Sequence, residues 1–324
     1  MSPASPPVTA LVTGVTGQDG IYLARRLLAD GLRVVGVARP GSASGPRAAA
    51  YLTGVEVREA DITDGPALRE LVADVAPQEI YNLAALSSVG RSWEEPELTR
   101  RVNLDTVVEL VGAAHALAAA GRPVRLFQAS SAEVVGQAAD SPYARAKADA
   151  ERVVEKARSE GLHASYARLY VHESPIRPPG FVFRKITRGA AAIALGRSDQ
   201  LTLGTLDVRR DWGHAAEYVD AFVRMLRRDE PVDLPLGTGT DHSLADLVDL
   251  AFAAAGVTDP WSRIVQDPDL VRPADSKVLL ADPEPAAAAI GWRATTSFAD
   301  LVTRMVEVDL QRVRSGVEDD ATYL

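Results

Sequence analysis

Residues 9–31, TALVTGVTGQDGIYLARRLLADG, lead a short apolar strand through three glycines into an amphipathic helix. Gly14, Gly17 and Gly20 have the spacing GxxGxxG and stand directly between strand and helix. Glycine there permits a tight turn and lets the backbone approach a pyrophosphate, which the positive end of the helix attracts. Ile21, Ala24, Leu27 and Leu28 mark the helix face turned to a core, and Gly31 stops it. The bland alternative is an ordinary glycine-rich turn. The strand–turn–helix context favours a dinucleotide.

The rest of the chain keeps alternating strand and helix. Residues 33–39 read as a second strand ending Ala38-Arg39-Pro40-Gly41-Ser42. A site for NAD usually carries an acidic residue there for the ribose 2′-hydroxyl. An arginine and a serine suit a 2′-phosphate, so NADP is expected rather than NAD. Residues 55–59 are a third strand, and Asp61 beyond it either faces an adenine or caps a helix over 65–75. Residues 79–85 are a fourth strand, a long helix is expected over 95–120, and 125–129 are a fifth strand. A sixth follows at 163–171, then a proline-rich loop over 172–180. Further helices are expected over 181–196, 215–228, 243–255, 283–290 and 297–314, with a short strand at 201–204. No hairpin signal interrupts the alternation, which predicts an α/β fold: a Rossmann-type doubly wound parallel sheet followed by a smaller C-terminal α/β domain.

Composition narrows the function. The 324 residues carry a net charge of −9 and no basic block, so nucleic acid is not an expected partner. The absence of cysteine excludes disulfides, thiolate zinc sites and cysteine nucleophiles. The five histidines form no HxH or HxxxH pair, so no metal is expected. No apolar run is read as a signal peptide or membrane span, and a cytoplasmic protein is expected.

The chemistry gathers in residues 128–147, QASSAEVVGQAADSPYARAK. Ser131 and Glu133 follow the carboxyl end of the fifth strand, where an open α/β sheet places its ligand crevice. Tyr143 and Lys147 are four apart, on one face of the next helix. A free phenol titrates near ~10, and a neighbouring ammonium favours its phenolate. Each residue also has a plain reading: a chance YxxxK pair, a serine capping the strand end, a surface glutamate.

These segments resemble the extended short-chain dehydrogenase/reductases of the epimerase/dehydratase family, enzymes that modify nucleotide sugars. Within them the chain is most similar to the GDP-mannose 4,6-dehydratase branch. General motifs are TGVTGQDG (13–20), EIYNLAA (79–85) and Tyr143-xxx-Lys147. More particular are SVGRSWEEPE (88–97), HESP with FVFRKITR (172–175, 181–188) and RRDWGHAAEYV (209–219).

The resemblance implies Ser131, Glu133, Tyr143 and Lys147 as catalytic residues, with serine standing where threonine is general. It implies cofactor contacts at Gly14, Gly17, Gln18, Asp19, Gly20, Ile21, Arg39, Asp61, Ile62, Leu83, Ala84, Ala85, Ser87, Val102, Tyr143, Lys147, His172 and Arg177. Sugar-nucleotide contacts would fall on Ser88, Glu133, Arg184, Lys185, Arg210, Arg272 and Asp275. Residues 1–171 would bind NADP, with a return around 205–235, and 172–324 would mainly hold the nucleotide-diphosphate sugar, GDP-linked by resemblance. A homodimer through helices near 95–120 and 142–159 is also implied.

The implied reaction oxidises sugar C4, eliminates water across C5–C6 and reduces C6. Two departures keep a nucleotide-sugar epimerase or a 4-keto-6-deoxy sugar reductase as the alternative. Only nine residues separate Glu133 from Tyr143, and Val171 replaces the usual asparagine. The loop after Arg39 is shorter than the one through which some members form tetramers, and Asp275 stands where glutamate is usual.

Overall fold

The computed structural model describes residues 7–136, 138–270 and 278–324. Within these the chain forms two compact units. The first comprises the described residues up to Val135, then Ala139–Leu169 and Val219–Leu234. The second comprises the described residues of Tyr170–Tyr218 and Pro235–Leu324, with Gly136 and Ala138.

The first unit runs β1 (Thr9–Thr13), α1 (Gln18–Ala29), β2 (Arg33–Ala38), α2 (Pro46–Tyr51), β3 (Glu56–Glu59), α3 (Gly65–Val75), β4 (Glu79–Asn82), α4 (Val89–Glu94), α5 (Pro96–Arg100), α6 (Thr106–Ala119), β5 (Arg125–Ala129), α7 (Pro142–Ser159) and β6 (His163–Leu169). The second continues with β7 (His172–Glu173), α8 (Val182–Ala194), β8 (Leu201–Leu203), β9 (Arg209–Asp211) and β10 (Gly213–His214). Helix α9 (Ala215–Leu226) follows and carries the chain back into the first unit, and β11 (Leu234–Leu236) leads out again. Last come β12 (Asp241–Ser243), α10 (Leu244–Ala254), β13 (Ile264–Gln266), β14 (Val278–Leu279), α11 (Glu284–Ile290) and α12 (Phe298–Ser315).

Seven strands make one sheet in the order β11-β6-β5-β4-β1-β2-β3. Strands β1 to β6 pair in parallel, as between Leu11 and Val35 or Tyr81 and Phe127. Central β1 and β4 are buried at every position, whereas edge strand β3, EVRE, is half-exposed. That is the contrast expected of a parallel sheet covered on both faces at its middle only. One core cluster joins Leu11, Val35, Ile80 and Leu126 of the sheet to Leu68 and Val72 of α3, Leu110 and Leu117 of α6, and Val154 of α7.

The second unit has its own core, in which Phe183 and Ile186 of α8 meet Leu247 and Phe252 of α10 and Val302 and Met305 of α12. Trp212 is buried there, stacked on Phe298 at 5.5 Å, and belongs to this core. Strand β9 runs antiparallel to β12 and parallel to β14.

Several expectations need correction. The run expected as one helix over 95–120 begins at Val89, breaks at Glu95, and passes through a π-turn at Arg101–Asp105 before α6. Its Pro96–Ala119 portion is, by length and composition alone, apolar enough to cross a membrane, contrary to the sequence reading. Its inner face, Val107, Leu110, Ala114 and Leu117, packs into the first core, which accounts for that apolarity. Asp61 does not cap α3. Asp64 does, accepting from Ala67 N at 3.1 Å, while Asp61 closes a turn on Thr63. On α1 the buried face takes Leu23, and Leu28 is only half-buried. His172–Glu173, expected as loop, pairs in parallel with β10.

Candidate active site

The glycine turn is built as a phosphate cradle. Gly14 has φ +70° and lies so close to the chain after β4 that a Cβ would stand 2.9 Å from the Cα and N of Ala84. At Gly20 a Cβ would meet Gly14 O at 2.3 Å and Val15 Cα at 2.7 Å. Only glycine lets the first turn of α1 press onto the strand-to-helix turn. Helix α1 starts at Gln18 behind Gly17, which supplies no side-chain cap, and Asp19 and Ile21 lie in its first turn. A helix N-terminus free of a side-chain cap offers N–H groups and a positive dipole end to an anion. The residues present therefore fit a dinucleotide pyrophosphate.

Around that cradle, Leu83 N and Ala84 N donate to Thr13 Oγ1 at 3.2 and 3.1 Å. The chain through Ala85 to Leu86 is then pinned by Asn103, which accepts from Leu86 N at 2.8 Å and donates to Leu86 O at 3.1 Å. Asn103 sits in the π-turn beside Val102, and such turns recur at functional sites. Ser87 is exposed, and Ser88 caps α4 by accepting from Arg91 N. Arg39 is exposed just past β2, at the start of a turn in which Ser42 donates twice to Arg39 O. Glu59 at the end of β3 accepts from Ala43 N, and the turn's amides hold its carboxyl below the ordinary range. Ile62 packs on the first core. Arg47 was not anticipated: its Nε donates to Thr16 O at 2.8 Å, adding a cation against the glycine turn.

Ser141 caps α7 by accepting from Ala144 N, and Pro142 opens the helix. This start fixes the rotation of α7, so that Tyr143 and Lys147 both turn inward, 8% and 3% exposed. Lys147 Nζ donates to Ala129 O at 2.8 Å, beneath the carboxyl end of β5. That oxygen also ends a buried polar chain across three strands. Thr13 Oγ1 donates to Asn82 Oδ1 at 2.5 Å, Asn82 Nδ2 to Gln128 Oε1 at 2.7 Å, and Gln128 Nε2 to Ala129 O at 2.7 Å. Burial pulls the Lys147 ammonium down to about 8, with Glu151 opposing the fall. Ser131, 8% exposed, begins the 3₁₀ turn Ala132–Val134, its Oγ accepting from Glu133 N at 3.2 Å. Helix α7 packs against that turn. Serine, glutamate, tyrosine and lysine are thus carried by two touching elements. The polar residues Thr13, Asn82 and Gln128 escaped sequence reasoning. Their signal was a polar side chain at or next to the last position of an otherwise apolar strand.

The remaining candidates belong to the second unit. His172 Nδ1 bonds Tyr170 O at 2.8 Å, and its ring stacks on Tyr218 at 4.5 Å. Arg177 pairs with Glu173 at 3.2 Å and lies 3.5 Å over the Phe181 ring. Arg184, expected to meet the sugar nucleotide, is 2% exposed. It donates to Asp309 Oδ1 at 2.8 Å, Arg177 O at 2.6 Å and Glu318 Oε1 at 3.0 Å, so it holds α8 in place from within. Lys185 beside it is half-buried. Arg210, in β9, is 7% exposed with Nη1 on Arg209 O. Arg272 and Asp275 lie outside the described residues.

A glycine cradle after the first strand of a parallel sheet, with a serine, a glutamate and a YxxxK pair after its fifth, matches the pattern of the extended short-chain dehydrogenase/reductases of the epimerase/dehydratase class. The family model described as GDP-mannose 4,6 dehydratase matches residues 11–305, and the chain belongs to that family. It is 38% identical to the GDP-mannose 4,6-dehydratase of Sinorhizobium fredii, over 94% of this chain and 97% of that protein. In fold it is similar to the UDP-glucose 4-epimerase of Thermus thermophilus in complex with NAD, with TM-score 0.80, 23% identity and coverage of 96% and 100%. It is likewise similar to RMD from Pseudomonas aeruginosa complexed with NADPH, with TM-score 0.76, 22% identity and coverage of 94% and 100%.

Proposed function

We propose that the protein is an NADP-dependent nucleotide-sugar 4,6-dehydratase acting on GDP-mannose. The observation that carries this is Lys147, buried one turn from Tyr143 and fixed to the strand end that delivers Ser131 and Glu133. Membership of the GDP-mannose 4,6-dehydratase family supports the substrate. The cofactor is held by the turn from Gly14 to Ile21, with Arg39 and Arg47 as the cations for a 2′-phosphate. The chemistry it supplies when bound is reversible hydride exchange with the sugar.

The protein's own groups move the protons. Tyr143 as phenolate, favoured by the Lys147 ammonium, takes the proton from the sugar 4-hydroxyl. Ser131 donates a hydrogen bond to the same oxygen and keeps it in line with the phenol. The ketone formed at C4 acidifies the hydrogen on C5. Glu133 removes that proton and gives one to the departing 6-hydroxyl, so that water leaves. Lys185 and Arg210 are the diphosphate ligands in this reading, His172 and Arg177 are further cofactor contacts, and Arg184 supports them. The protein works as a cytoplasmic homodimer.

The test is a mass measurement on the product of GDP-mannose incubated with the enzyme and catalytic NADP⁺, where loss of one water is expected. The short stretch between Glu133 and Tyr143 favours the alternative, an epimerase or 4-keto-6-deoxy sugar reductase. A product of unchanged mass, or NADPH consumed in step with a 4-keto sugar, selects it.

A further inference from the structure

Glu151 lies one helical turn beyond Lys147, on the same inner face of α7, and is 3% exposed. A carboxylate this deep is costly unless its charge is met. Arg168 of β6 meets it. Its Nε lies 3.0 and 3.2 Å from the two carboxylate oxygens and its Nη2 2.7 Å from Oε2. A further donor is Ser130, whose hydroxyl gives a 2.6 Å bond to Oε1.

Ser130 stands between two residues on which the chemistry depends. Before it, Ala129 presents the carbonyl that receives Lys147 Nζ. After it comes Ser131. The Ser130 N–H is itself bonded to Ala167 O at 2.8 Å, so this residue is held by backbone toward β6 and by side chain toward α7. The peptide plane between Ala129 and Ser130 is thereby held at both its oxygen and its nitrogen, and the Ser130 side chain fixes the direction in which the backbone leaves toward Ser131.

We propose that Glu151 is a positioning residue for the reaction: through Ser130 it holds the backbone from Ala129 to Ser131 in the conformation that serves Lys147 and Ser131 together, while its charge acts on Lys147 from one turn away. The proposal rests on the roles given above to Tyr143, Lys147 and Ser131, and extends them to a glutamate that touches neither sugar nor cofactor.

Electrostatics agree with the geometry. Burial lowers the Lys147 ammonium and Glu151 raises it, so the glutamate keeps the amine charged further up the pH scale than burial alone allows. Facing Glu151 are Arg168 and Tyr166 from β6, with Lys147 and Glu155 on its own helix. Tyr166 donates to Glu155 at 3.0 Å and lies under the Arg168 guanidinium, with Asp233 beyond. Arg168 is held above its ordinary value by the bonds to Glu151 and stays charged.

The experiment uses the full chain. Its four lysines make Lys147 resolvable in a ¹³Cε-lysine NMR titration, assigned with Lys147→Arg. This readout needs no substrate, so a failure of the dehydratase reading leaves it standing. In Glu151→Gln the Lys147 midpoint is expected to fall by about one pH unit. In Ser130→Ala, which keeps the ion pair, kcat on GDP-mannose is expected to fall about tenfold with KM unchanged, and the fold retained with a lower melting temperature. A Lys147 midpoint identical in wild type and Glu151→Gln overturns the charge role. A Ser130→Ala kcat within about twofold of wild type overturns the positioning role. If Glu151→Gln fails to fold by circular dichroism, the Ser130→Ala comparison decides alone.

Discussion

Lys147 Nζ and the carbonyl oxygen of Ala129 are 2.8 Å apart, and that oxygen is shared with Gln128 Nε2. The amine of the proposed catalytic pair is therefore anchored to the last residue of a central strand rather than to a loop. It is also the far end of a hydrogen-bonded line that begins at Thr13 on β1. A site built this way is pre-organised, because the sheet that positions the cofactor turn also positions the base.

Burial sets the working pH range. With the Lys147 ammonium lowered from 10.5 to about 8, kcat/KM is expected to lose activity along an alkaline limb centred near 8 as that proton leaves. Stability moves the other way. The unfolded chain binds the proton more tightly, so holding Lys147 costs stability below about 8, and the cost is relieved as pH rises from 8 toward 10.5. A pH–rate profile with Lys147→Met as control checks the first statement: the limb near 8 disappears with the amine.

Tyr143→Phe removes the proposed proton acceptor and little volume. Turnover is expected to fall by about 10²- to 10⁴-fold, with melting temperature and cofactor affinity close to wild type. Ser131→Ala, which removes one hydrogen bond to the reacting oxygen, is expected to lose less, about 10- to 100-fold. Steady-state kinetics alongside thermal melting checks both.

Gly20→Ala puts a methyl carbon 2.3 Å from Gly14 O and 2.7 Å from Val15 Cα. Backbone must move, so loss of NADP binding is expected, with a stability cost of about 1–3 kcal/mol. Gly31→Ala is the control, since nothing lies within 4 Å of its Cβ and only its φ of +83° is strained. Cofactor fluorescence titration should find binding abolished in the first and retained in the second.

Asp309 is fully buried and accepts from Arg184, Arg312 and Thr187. Asp309→Ala leaves two buried guanidinium groups short of their counter-charge, and about 3–5 kcal/mol of stability is expected to be lost. Denaturant unfolding measures it. The double change Asp309→Leu/Arg184→Met should recover part of the loss.

Much of this was legible in the chain, for identifiable reasons. Strands β1, β4 and β5 announced themselves because burial on both faces demands mainly apolar segments, and Gly14 and Gly20 through their spacing between strand and helix. That Tyr143 and Lys147 share the inner face of α7 was readable from helical spacing. The strands of the second unit beyond β8 were not, since β9, β10 and β12 are two or three residues long and carry Arg, Asp and His, and β14 is only the pair Val278–Leu279. The π-turn at Arg101–Asp105 was hidden because its residues suit an α-helix equally well. For Arg184 the resemblance implied a sugar-nucleotide contact, whereas its burial in an ion-pair network could not be read from the chain. Its partners, Asp309 and Glu318, lie more than a hundred residues away.

The central claim is that the sugar is oxidised at C4, dehydrated, and reduced at C6 within one turnover. GDP-mannose carrying deuterium at C4, incubated with the enzyme and catalytic NADP⁺, tests it most directly by mass spectrometry and NMR of the product. Loss of one water is expected, with the deuterium recovered on C6 and no net change in NADPH. Deuterium retained at C4, or a product that has lost no water, contradicts it.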